Sequence, residues 1–162
     1  MKGRLLIAGI LLVVALGVAP SPAAAQTTPV LTGGGIAGQC LFALQVALSE
    51  DGSATGHFDL LMAGHLALTL PDGTTFSLAH LQGQITNGSV NANGTVSFTG
   101  AGTQLMKVDQ SNTWQTVPVR FTTTAVPGGA GVGRFIAVLE FPPSMGGVTL
   151  NEEVVTGMIK LH

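Results

Sequence analysis

The feature that most constrains the fold is an alternation of bulky apolar residues with period two, which recurs from residue 40 onwards. In the first such run, Cys40–Leu48, bulky apolar side chains occupy every second position, and mostly smaller side chains lie between them. Successive side chains of a β-strand point to opposite faces, so this pattern predicts a strand with one face in a core. No stretch after residue 25 shows the 3.6-residue period of an amphipathic helix, and the sequence therefore predicts an all-β protein.

Turn signals separate the alternating runs at intervals of about eight to twelve residues, which is typical of an all-β sandwich or barrel. The signals are Asp51-Gly52, Pro71-Asp72-Gly73-Thr74, Asn87-Gly88, Asn93-Gly94 and Pro127-Gly128-Gly129. They predict a single antiparallel β-barrel or barrel-like sandwich of about 8–10 strands in hairpin connections. Glycines inside the strands favour the barrel slightly, because they suit sharply coiled strands. Pro118 has no N–H to donate, so its strand is predicted to be an edge or to carry a bulge there.

The alternation also predicts which side chains form the core, since each run has one bulky parity. The phase of each run further predicts that Phe76, Leu78 and His80 share one face of their strand. The predicted core residues are Phe42, Leu44, Phe58, Leu60, Leu68, Phe98, Phe121, Phe135, Leu139 and Ile159.

The first 25 residues have the anatomy of a secretory signal peptide. Lys2 and Arg4 are positive, Leu5–Val18 is an unbroken apolar run, and small residues precede Gln26. A membrane-spanning helix needs roughly 20 apolar residues, and prolines close this run earlier. We therefore expect cleavage after Ala25, a secreted or extracytoplasmic protein, and no stable membrane span after processing.

The remaining 137 residues fit one domain with a core of ordinary size. We expect a flexible lead-in rich in Gly, Thr and Pro over residues 26–38, followed by one β domain over residues 39–162. The full sequence has a net charge of −2, and removal of Lys2 and Arg4 makes it −4. Without a cluster of Lys and Arg, no nucleic-acid partner is expected. Cys40 is the single cysteine, so no intramolecular disulfide can form, and a buried thiol is expected.

The polar side chains that could carry chemistry are His57, Asp59, His65 and His80. His57 and Asp59 are two residues apart, so on a strand they point to the same side. At a barrel mouth such a pair could bind a metal or move a proton. The favoured interpretation is the solvent face of a half-buried strand. No catalytic residue, metal ligand or cofactor site is predicted, since neither metal-ligand spacing nor a nucleophile motif is present.

Two sequons for N-glycosylation occur, at Asn87-Gly88-Ser89 and Asn93-Gly94-Thr95. The glycine in each sequon is also what a tight hairpin turn requires. Turn chemistry therefore explains both motifs, and the sequence leaves glycosylation open.

Four glycine-containing segments, taken in order, resemble the small secreted bacterial β-domains called post-COAP-type. The segments are Gly33-Gly34-Gly35, Gly56-His57-Phe58, Gly94-Thr95-Val96-Ser97-Phe98-Thr99-Gly100 and Gly157-Met158-Ile159. The likeness covers most of the chain after the leader, but Trp114–Phe121 and the Pro142-Pro143 turn depart from it. The resemblance implies a secreted, non-catalytic module of uncharacterised role and assigns no functional residue.

Three functional hypotheses follow. The first is an exported, non-catalytic β-domain that acts as a structural or interaction module outside the cytoplasmic membrane, with an unidentified partner. The alternative is a small barrel that binds an apolar small ligand in its lumen, and a weaker alternative is a small-barrel isomerase or cyclase. A hollow interior would favour the second hypothesis, whereas a packed one would favour the first.

Overall fold

The computed structural model describes residues 28–71 and 73–162, and at residues 65–67 it describes the backbone but not the side chains. The predicted signal peptide, residues 1–25, lies outside this description. Over the described residues the chain forms nine β-strands and no helix. The strands are β1 (Val30–Ala37), β2 (Cys40–Leu48), β3 (Ser53–Thr69), β4 (Thr75–Val90), β5 (Val96–Val108), β6 (Trp114–Val126), β7 (Gly128–Gly129), β8 (Arg134–Glu140) and β9 (Gly147–Leu161).

Eight of the strands close into an antiparallel barrel. Strands β1 to β6 pair in sequence order, β6 then pairs with β8, and β8 pairs with β9. Pairing of β9 with β1 closes the sheet, and the two-residue strand β7 pairs with β9 alone. The all-β prediction is therefore confirmed, and the barrel rather than the sandwich is the correct alternative.

Closure depends on a close approach between the backbones of β1 and β9. Gly35 lies opposite Gly157 in the ladder, and their φ angles are +142° and +85°. A Cβ atom on Gly35 would meet the carbonyl oxygen of Thr156, and one on Gly157 would meet that of Gly34. Both the positive φ and the lack of space require glycine at this seam.

The prediction that residues 26–38 form a flexible lead-in is corrected by strand β1, which begins at Val30. A run of three glycines is ordinarily a loop signal. In this barrel Gly33 and Gly35 are instead residues at which an added Cβ would crowd a neighbouring strand, β2 and β9 at Gly33 and β9 at Gly35. At Gly33, for example, a Cβ would lie 3.2 Å from side-chain atoms of Phe42 and Leu44.

All ten residues predicted for the core are buried, so the predicted registers of their strands are confirmed. The seven phenylalanines of the sequence are all buried. Five of them form one cluster inside the barrel, in which the ring of Phe58 lies 5.4–5.8 Å from the rings of Phe98, Phe121 and Phe135. The tilted and edge-to-face angles of these pairs are the arrangements that aromatic rings prefer.

Two further expectations are wrong, and both concern β4. Asn87-Gly88 is not a turn but lies within the strand, next to a register shift between Ile85 and Asn87. A second shift between Phe76 and Leu78 reverses the phase of the strand. As a result Phe76 is buried but His80 lies on the outer face beside buried Ala79 and Leu81.

No helix in the described part of the chain is both long and apolar enough to cross a membrane.

Candidate functional site: the outer wall of the barrel

His57 and Asp59 lie on the outer wall of β3. The residues that alternate with them, Phe58 and Leu60, are fully buried, so the two polar side chains share the outward face as predicted. His57 is opposite Gln45 of β2 and Gln84 of β4, and Asp59 is opposite Ala43 and Gln82. Both are half-buried. They point away from the lumen, so they cannot act on a ligand inside the barrel.

The other two histidines do not complete a cluster with this pair. His80 is opposite Leu61, which places it diagonally from Asp59 at about 7–8 Å between Cα atoms. His65 belongs to β3, but its side chain is outside the description. Among the described residues, no three His, Cys, Asp or Glu side chains lie where they could hold a metal ion.

His57 borders a groove on the outer wall that was not predicted from the sequence. The groove has a volume of about 540 Å³ and crosses the outer wall over β9, β1, β2 and β3. Thr32 and His162 form one hydrogen bond across it, with 3.0 Å between Oγ1 and Nε2. Lys160 also lines the groove. The glycines of β1 were the available signal, since residues without side chains leave a depression on a sheet surface.

The barrel interior is occupied by side chains. Phe121 fills the space beside Gly83 and Gly100, where an added Cβ would strike its ring. The interior lining belongs to one cluster of buried apolar residues that runs through every strand of the barrel.

An apolar row crosses the outer wall of β1, β2, β3 and β5. Ile36 lies opposite Leu41, Leu41 opposite Leu61, and His80 of β4 lies between Leu61 and Leu105. The exposed fractions of Ile36, Leu41 and Leu105 are 43%, 53% and 37%. Residues paired in register on one face are in contact distance, so these side chains form one continuous strip. We call Ile36, Leu41, Leu61, His80 and Leu105 the outer apolar row.

Half of β6 has a free edge. The ladder with β5 runs from Trp114 to Ala125, whereas the ladder with β8 begins only at Arg120. Within the described residues, Trp114–Val119 therefore pairs on one side only. Pro118 lies in this half, and the predicted edge position is confirmed. A pocket of about 420 Å³ lies where β6 and β8 separate, lined by Pro118, Arg120, Glu140 and Pro142 among others.

The single thiol is buried at the end of the barrel where β1 turns into β2. Cys40 is 1% exposed and, as predicted, faces the core. Burial, and then the negative charge of Glu152, raise the pKa of Cys40 from its usual 9.0 to about 12. A thiol that stays protonated is a poor nucleophile and a poor metal ligand.

The sequons lie in different structural settings. At Asn93 the side-chain oxygen accepts hydrogen bonds from the backbone N–H and the hydroxyl of Thr95, at 3.1 and 2.8 Å. Gly94 has a φ of +79°, so Asn93-Gly94 is a turn, as predicted. Asn87 lies in β4 with an exposed side chain that donates to the Thr86 hydroxyl at 3.0 Å.

In comparisons with known proteins, no protein-family model, curated protein or solved structure matches this chain.

Proposed function

We propose that this protein is an exported, non-catalytic β-barrel module that binds its partner through the outer apolar row. The observation that carries the proposal is the register-aligned row itself, in which Ile36, Leu41 and Leu105 remain exposed and Leu61 and His80 are half-buried. Large apolar side chains that are exposed as a continuous patch are characteristic of interaction sites. The partner is expected to be a protein surface with a complementary apolar strip.

The packed interior supports this function over the two alternatives. A lumen ligand would need the space that the five clustered phenylalanines occupy, and an isomerase or cyclase would need polar groups converging on such a space. His57 and Asp59, the polar pair with a reason to act together, lie on the outer wall instead. An apolar dye whose fluorescence rises on binding distinguishes the surfaces. A rise with the native protein that is unchanged in Leu41→Ser would favour a lumen site.

Photo-cross-linking in the native host tests the proposed surface. A photoreactive residue at Leu41, in the row, should give an adduct whose mass differs from that of the monomer and from that of a dimer of this chain. The matched control is the same residue at Thr122, which is exposed on the outer face of β6 outside the row. Equal adducts at both positions, or none at Leu41, would overturn the proposal.

Export is tested separately by N-terminal sequencing of the protein recovered from outside the cytoplasm. The expected first residue is Gln26, because the apolar run and the small residues before it match a cleavable leader. An exported protein that retains Leu5–Val18 would contradict cleavage after Ala25. A protein found only in the cytoplasm would remove export from the proposed function and leave the binding surface to be tested on its own.

A further inference from the structure

We propose that two copies of this protein dimerise by pairing the free edges of their β6 strands, antiparallel and centred on Thr116. The proposal goes beyond the proposed function and does not depend on it, because it uses the backbone of Trp114–Pro118 rather than the outer apolar row. The result would be a continuous sheet across the two barrels, related by a two-fold axis.

The register shows which backbone groups face the free edge. The N–H of Val108 donates to the carbonyl of Thr113 at 2.9 Å, so this opposed pair is a hydrogen-bonded one. In an antiparallel ladder hydrogen-bonded and non-hydrogen-bonded pairs alternate. Trp114, Thr116 and Pro118 therefore direct their backbone groups away from β5, and β8 does not reach them.

Pro118 explains why a second copy fits this edge. The backbone nitrogen of Pro118, which carries no hydrogen, points to the free side of β6. The ladder with β5 therefore loses no hydrogen bond, and the free edge has one donor fewer. When Thr116 of one copy lies opposite Thr116 of the other, these two residues exchange both hydrogen bonds. The N–H of each Trp114 then donates to the carbonyl of Pro118 in the second copy. No backbone donor of the segment is left without an acceptor, which matters because an unmet donor is costly.

The side chains are complementary in the same register. Trp114, the single tryptophan of the sequence, is 55% exposed on the outer face. The pairing brings its indole beside the ring of Pro118 from the second copy, on the same face, at the short distances of directly opposed residues. An exposed tryptophan at a strand edge thereby gains an apolar contact in each half of the dimer.

Charge and space also permit the pairing. Soluble proteins commonly protect sheet edges with charged side chains or with proline. Trp114–Val119 carries no charged side chain, and its one proline, Pro118, leaves a single outward N–H missing. Two such edges therefore approach without repulsion. Glu140 occupies the position opposite Arg120, so the ladder between the two copies ends at Pro118. The pocket of about 420 Å³ lies at this point, where β6 and β8 separate.

Disulfide trapping tests the register directly. In a Cys40→Ala background, Thr116→Cys would face its own copy at about 5.5 Å between Cα atoms, which is within the range that a disulfide can bridge. We expect at least about tenfold more covalent dimer than from Thr122→Cys, a residue equally on the outer face of β6 but paired with β8. Equal yields from both variants would overturn the proposed register.

The mass in solution tests the dimer without any cross-link. The mature protein should shift from monomer to dimer over a concentration series up to about 1 mM, a range in which even weak complexes form. Thr116→Pro removes the central outward N–H and should abolish the shift, whereas Thr116→Val keeps that N–H and should preserve it. Circular dichroism confirms that both variants are folded. A wild-type monomer throughout, a dimer that survives Thr116→Pro in the folded protein, or open-ended polymers would each overturn the proposal.

Discussion

Among the side chains that the structure describes, Gln104 is the largest polar one sealed inside the barrel. It is fully buried on β5, and neither its amide oxygen nor its amide nitrogen has a hydrogen-bond partner among the described residues. Its neighbours across the ladders are Leu81 and Val117, so the surroundings are apolar. An unmet buried amide costs free energy that a side chain of the same shape without polar atoms would not.

Replacement of Gln104 by methionine is therefore expected to raise the free energy of unfolding, by about 1–2 kcal/mol. Methionine has a similar length and no strong hydrogen-bonding group. Urea unfolding of the variant and of wild type measures the change, and Gln82→Met, at an exposed position on β4, is the control with no expected gain. A clear loss of stability in Gln104→Met would mean that the amide has a polar partner in solution.

Cys40 gives the protein a pH dependence at the alkaline end. Its pKa is raised in the folded state, so the native protein binds the thiol proton more tightly than the unfolded chain does. The stabilising contribution is complete below pH 9.0 and is lost as the pH rises towards about 12. The melting temperature should therefore fall across this interval, and it should fall less steeply in Cys40→Ala.

The same burial makes the thiol unreactive at pH 8. Labelling by a disulfide reagent should be slow in the native protein, with a rate set by opening of the barrel, and should be complete in denaturant. Rapid stoichiometric labelling of the folded protein would contradict the buried position of Cys40.

At the scale of a single strand, β6 shows how one ladder can tolerate a proline. Pro118 occupies an outward position of the backbone, opposite Thr103, where no bond to β5 is lost. The neighbouring position, Val117, is opposite Gln104 and donates its N–H to β5. Two adjacent residues of the same strand therefore have opposite tolerance to the loss of an N–H.

Proline substitution at Val117 and at its other neighbour, Thr116, is expected to change the free energy of unfolding by different amounts. Val117→Pro should lower the free energy of unfolding by at least about 1–3 kcal/mol, because a carbonyl of β5 loses its donor. Thr116→Pro removes an N–H that faces the free edge and should change the stability by less than about 1 kcal/mol. Chemical denaturation at low protein concentration measures both variants, and equal losses would show that the hydrogen-bond phase of β6 is the reverse of the one deduced.

For the whole molecule, closure between β1 and β9 converts an open sheet into a barrel without edges along that seam. The seam depends on Gly157, whose φ is +85° and whose missing Cβ leaves room for the carbonyl of Gly34. Gly52, in the turn before β3, has a nearly equal φ of +82°, and an added Cβ there would meet nothing within 4 Å. A comparison of the two glycines therefore separates the free-energy cost of a left-handed backbone from the cost of a steric clash with a neighbouring strand.

Gly157→Ala should therefore destabilise the barrel by at least about 2 kcal/mol more than Gly52→Ala does. In Gly52→Ala the only expected loss of stability comes from the left-handed backbone, about 1–2 kcal/mol. Thermal and urea unfolding of the two variants, compared with wild type, give the difference. Equal losses would show that the approach of β1 and β9 is looser than the structure has it.

Side-chain alternation and turn chemistry account for the features of this protein that can be predicted from its sequence. The ten core positions, the turns at Asp51-Gly52 and Asn93-Gly94, the buried Cys40 and the edge position of Pro118 all follow from local pattern. They are predictable because the faces of a strand and the φ demands of a turn are set by a few adjacent residues. The shared outward face of His57 and Asp59 belongs to the same class.

Which strands meet, and therefore which surfaces are candidates for function, depends on pairing across the whole sheet. The glycines of β1 are a loop signal in isolation, and they lie in a strand because β1 pairs with β2 on one side and β9 on the other. The phase of β4 is reversed by register shifts that no alternation reveals, which moves His80 to the outer wall. The outer apolar row and the free half of β6 likewise arise from pairing between distant segments, since register is set by the whole sheet and not by any one strand.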